Sequence, residues 1–62
     1  MSMVSLVEYE DADGDYVSAW FDKEEDAVVV QYNYVHITMT TDQFEGYAEA
    51  MARGLEALKE EI

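Results

Sequence analysis

Fifteen consecutive residues, Ala27 to Thr41, carry no charge in a chain otherwise crowded with carboxylates. The run reads AVVVQYNYVHITMTT, rich in the β-branched and aromatic residues that favour strands. Left exposed, such a segment pairs with copies of itself. It has to lie inside a sheet, beneath a cover, or against a second subunit. Any fold for this sequence must meet that condition.

The acids flank the run on both sides. Nine lie between Glu8 and Asp26, and six more, Asp42, Glu45, Glu49, Glu56, Glu60 and Glu61, lie beyond it. Against 15 acidic residues stand three cations, Lys23, Arg53 and Lys59, giving a formal charge of −12. Proteins that grip nucleic acid do so by neutralising phosphates with Lys and Arg. This surface repels DNA, RNA and anionic lipid, so neither a nucleic-acid nor a membrane partner is expected. Trp20, Phe21, Phe44 and five tyrosines are interleaved with the acids, which marks a folded domain with an acidic skin and not a disordered tail.

The abundance of Asp and Glu, the scarcity of Lys and the small helix residues resemble the composition of cytosolic proteins from extreme halophiles. The resemblance has no motif and transfers no functional residue. It implies a high-salt cytoplasm, where screening shortens the reach of charge to about 3 Å at 1 M salt. A cytoplasmic location also fits the lack of cysteine and of a basic, apolar leader.

A chain of 62 residues makes one domain, 1–62, with a marginal core. Disulfides and thiolate metal sites are excluded by the absence of cysteine. His36 is the single histidine, so no multi-histidine site can form within one chain. The remaining routes to stability are association or a very efficient core.

Local signals predict four strands followed by a helix. Met3–Glu10 forms the first strand, with imperfect alternation that sets Val4 and Leu6 on one side and Val7 and Tyr9 on the other. Asp13-Gly14 is a hairpin signal. Tyr16–Phe21 follows, with Val17, Ala19 and Phe21 opposite Tyr16, Ser18 and Trp20. After the polar turn Asp22–Asp26 come strands Ala27–Tyr32 and Val35–Met39. Asn33, which tolerates the left-handed region, predicts a tight turn between them. One long bent strand from Ala27 to Thr40 is the alternative.

Thr40 and Gln43 form a capping-box pattern, and Met39 and Phe44 are spaced for a hydrophobic staple. Phe44, Tyr47, Ala48, Met51, Leu55, Leu58 and Ile62 then recur at helical steps as one apolar stripe. The expected fold class is α+β: an antiparallel four-stranded meander with one long C-terminal helix packed on one sheet face, ββββα, and dimeric.

One helix covers one face. The open face is expected to hold Trp20, one valine of the Val28–Val30 run (Val29), Tyr34 and His36. A face of this kind marks a binding surface. On the helix, Gly46, Ala50, Gly54 and Ala57 form a small-residue seam. Interior glycine costs about 1 kcal/mol relative to alanine, so the seam implies close approach, either to the chain's own sheet or to a second helix. Trp20, Val29, Tyr34, His36, Gly46, Ala50 and Gly54 are the candidate interaction residues.

Chemistry finds little support. Placing Gly14 sixth in a calcium loop puts Tyr9 first and Trp20 twelfth, where oxygen ligands are required. Ser2, Ser5 and Ser18 lack a nucleophile context, and the isolated glycines build no phosphate loop. No catalytic residue, metal or cofactor is expected. The favoured reading is a non-enzymatic homodimerisation or protein-interaction module. The alternatives are an acidic nucleic-acid mimic that binds a basic protein, and a small-ligand site around Trp20, Tyr34 and His36.

Overall fold

The structure, a computed structural model, describes residues 2–62. Four strands, β1 (Met3–Glu10), β2 (Tyr16–Asp22), β3 (Ala27–Tyr32) and β4 (Val35–Thr40), form one antiparallel sheet in the order β1-β2-β3-β4. Helix α1 (Thr41–Glu61) follows. The predicted ββββα meander is therefore the fold.

Each turn is built by a side chain that substitutes for missing backbone partners. At the β1–β2 tip, the Asp11 carboxylate accepts from the N–H groups of Asp13 and Asp15 at 2.9 and 3.0 Å. Gly14 sits there at φ 87, where other residues are strained. Asp22 repeats the device, accepting from Glu24 N–H at 3.0 Å and Glu25 N–H at 3.3 Å. The acids of these tips thus shape turns.

Asn33 makes the two-residue turn between β3 and β4, at φ 53. It also ties that turn to the β1–β2 tip. Its Oδ1 accepts from Tyr16 N–H at 2.8 Å, its Nδ2 donates to Asp15 Oδ1 at 3.1 Å, and its own N–H donates to the Tyr16 carbonyl at 2.7 Å. Asn33→Ala removes both side-chain bonds and places a poor residue in the left-handed region, for an expected loss of about 2–3 kcal/mol. Asn33→Gly keeps the backbone freedom and is expected to lose about 1 kcal/mol less than the alanine variant. Denaturant midpoints for the two variants check this; equal midpoints would show that φ carries none of the effect.

The register divides the sheet into two unlike faces. Leu6 has no residue opposite it, and this β-bulge shifts the phase between Ser5 and Val7. Val4, Val7 and Tyr9 consequently come to lie on one face, although their spacing in the sequence does not alternate. That face consists of three cross-strand rows: Val4–Phe21–Val28–Met39, Val7–Ala19–Val30–Ile37 and Tyr9–Val17–Tyr32–Val35. All twelve residues are apolar or tyrosine. The other face is mixed: Trp20 and Val29 lie beside Ser5 and Thr38, and Ser18 lies between Glu8 and Gln31 in a row that ends at His36.

The helix begins as its sequence predicts. Gln43 N–H donates to Thr40 Oγ1 at 3.1 Å and Thr40 N–H donates to Gln43 Oε1 at 2.9 Å, a complete capping box. Its packing corrects the expectation of a helix laid on its own sheet. It approaches β3 and β4 alone, and every residue from Glu45 to Ile62 is exposed. The cause is the connection. Strand β4 ends at Thr40 and the helix starts at Thr41, whereas a helix returning over its own sheet ordinarily uses a loop of about 2–6 residues. With no loop to reverse the chain, the helix runs outward. The radius of gyration is 13.1 Å, against about 10.6 Å for a compact chain of this length.

Candidate functional site

With the helix extended, the core is small. Val28 and Ala19 are the buried apolar residues, and Ser18 is the buried polar one. Burial is greatest in the row nearest the helix start, where Phe21 and Met39 flank Val28 and are themselves half-buried, as is Phe44. Away from that row the apolar face opens. Tyr9, Tyr32 and Val35, all in the far row, are 55–60% exposed.

The helix stripe is equally uncovered. Tyr47, Met51, Leu55 and Leu58 are exposed, and Ile62 is 92% exposed. Beyond the first helical turn, where Phe44 is half-buried, the sheet face and the helix stripe of one chain thus stand side by side without covering each other. The total accessible surface is 4984 Å², while a folded monomer of 7.1 kDa averages about 4,100 Å². The excess of about 900 Å² matches the share of one partner in a standard protein interface, about 800 Å².

The residues singled out by sequence fall into three places. Trp20 and Val29 are direct cross-strand partners on the mixed face, and His36 lies on the same face, opposite Gln31. Tyr34 stands apart from them in the β3–β4 turn, 99% exposed. Gly46, Ala50 and Gly54 lie on the exposed helix. A Cβ added to either glycine would meet nothing within 4 Å, so close packing on the chain's own sheet is not the reason for the seam. Sequence reading grouped Val17, Ala19 and Phe21 but set Val4 opposite Val7 and Tyr9, because the bulge that brings these three onto one face leaves no clear signal in a strand apolar at both Leu6 and Val7.

The mixed face carries a polar network. Glu8 accepts from Ser5 Oγ at 2.9 Å and from Tyr16 Oη at 3.4 Å. Beside it the Ser18 hydroxyl, 0% exposed, has no hydrogen-bond partner among the described residues. An open cavity of about 380 Å³ is lined by Gly14, Asp15, Tyr16, Gln31, Asn33 and Tyr34. It forms at the turns and not between Trp20 and His36. Among the described residues, no group of three or more His, Cys, Asp or Glu is placed to hold a metal. Among the described residues, no helix is long and apolar enough to cross a membrane.

Comparison with family models, with curated proteins and with solved structures found no match.

Proposed function

We propose that this chain is a non-enzymatic association module of a high-salt cytoplasm, and that its first partner is a second copy of itself. One observation carries the reading: a charge-free sheet face of twelve residues, half of them (Val4, Val7, Tyr9, Tyr32, Val35 and Ile37) exposed, lies beside an exposed apolar helix stripe. Apolar surface removed from water contributes roughly 25 cal/mol per Å². A chain of 62 residues gains more from covering such faces than from any other stabilising device its composition allows.

The charges favour the same face. The carboxylates occupy β1, the turns at both ends of the sheet and the length of the helix. A copy of −12 charge is repelled everywhere except where charge is absent. Molar salt weakens that repulsion and strengthens the apolar contact. The spread of carboxylates over both ends of the sheet also disfavours nucleic-acid mimicry, which needs them gathered along one surface.

The test is sedimentation equilibrium in about 3 M KCl, where charge screening is nearly complete. The expected mass is twice 7.1 kDa, constant from low micromolar concentration upward. A single 7.1 kDa species throughout would overturn the reading.

A further inference from the structure

We infer that the two copies exchange helices: the apolar stripe of each α1 lies on the apolar sheet face of the other chain. The inference rests on the association reading above and specifies its geometry.

The hinge is the first support. Met39 is the last apolar-face residue of β4, Thr40 is both the end of β4 and the helix N-cap, and Thr41 opens the helix. The capping box fixes that junction from both sides. The arm meets its own sheet only near its first turn, and its length from Glu45 to Ile62 is exposed and can reach another sheet. The second support is dimensional. A helix of 21 residues is about 30 Å long, and four strands spaced about 4.8 Å apart make a sheet about 19 Å wide. One helix therefore spans the face. The third is area, since the chain's excess surface of about 900 Å² is what one side of a stable dimer buries. The chain already has the arm-extended form that exchange requires, 43 Å along its longest axis.

Association by exchange responds to hinge length in a way that other dimers do not. The test inserts six Gly and Ser residues between Met39 and Thr40, leaving the Thr40–Gln43 capping box intact. A short flexible linker holds a tethered arm at an effective concentration in the millimolar range. That exceeds a second chain present at micromolar concentration by roughly 100-fold or more. The insertion is expected to convert the dimer into a closed monomer of unchanged helix content, with self-association at least about 100-fold weaker by this comparison. A parent dimer whose insertion variant associates equally well would overturn exchange while leaving the association reading intact. A monomeric parent would overturn the reading beneath it.

Cross-linking gives a second readout that does not depend on the insertion folding. The chain has no cysteine, so Ile37→Cys and Leu55→Cys can be prepared separately. Exchange predicts that a short bismaleimide couples the two variants when they are mixed and refolded together. Coupling of Ile37→Cys to itself alone would place sheet against sheet and contradict exchange.

Discussion

Dialysed from about 3 M KCl into dilute buffer, the protein is expected to lose its folded far-UV spectrum and its dimer mass together. The physical reason is the ratio of acids to cations. Fifteen carboxylates face three cations, and the ion pair found among the described residues, Lys59 with Glu56 at 4.0 Å, is exposed on the helix. Exposed pairs of this sort contribute little. Repulsion among the carboxylates is screened over about 3 Å in 1 M salt and about 10 Å in 0.1 M salt. Dilution therefore brings neighbouring tips and helix turns into one another's field. A core this small supplies only about 3–5 kcal/mol, so an electrostatic penalty of a few kcal/mol is enough to unfold it. An unchanged melting temperature in dilute buffer would show that the acidity is not an adaptation to salt.

Ile37→Asp is expected to weaken self-association by at least about 100-fold, or about 2.7 kcal/mol. Ile37 lies in the middle row of the apolar face, beside Val30, and is 45% exposed. In the isolated chain the carboxylate stays in contact with water, so the cost to folding is about 1 kcal/mol of strand preference. Beneath a partner, the same carboxylate is desolvated without a cation, which costs several kcal/mol. Thr38→Asp is the control. It stands one residue along the same strand, on the mixed face opposite Val29, and is expected to change the dissociation constant less than threefold, or about 0.7 kcal/mol. Sedimentation of both variants at one salt concentration separates the two faces. Equal effects would remove the apolar face from the interface.

The elements were legible wherever one residue type answers one local requirement. Asn33 marks its turn because the left-handed φ of 53 needs a residue that tolerates it. Thr40 and Gln43 mark the helix start because each supplies the partner the other's backbone lacks. Two features were less accessible. The bulge at Leu6 turns an irregular strand into a continuous apolar face, and a run of neighbouring apolar residues does not say which of them is left unpaired. The packing of the helix is the second, because its apolar stripe says only that it needs a cover. What decides whether its own sheet can serve is the number of residues between Thr40 and Thr41, which is none. The candidate residues divide on the same grounds. Trp20, Val29 and His36 share a face by strand alternation, while the turn at Asn33 removes Tyr34 from it.

The most direct measurement is an isotope-filtered NOE experiment on a refolded mixture of labelled and unlabelled chains in molar KCl. If a second copy covers the apolar face, the methyl groups of Val7, Val30 and Ile37 on labelled chains will show contacts to protons of unlabelled chains, with Leu55 and Leu58 foremost among them. If those methyls show contacts within their own chain alone, no second copy covers the face, and the account is wrong.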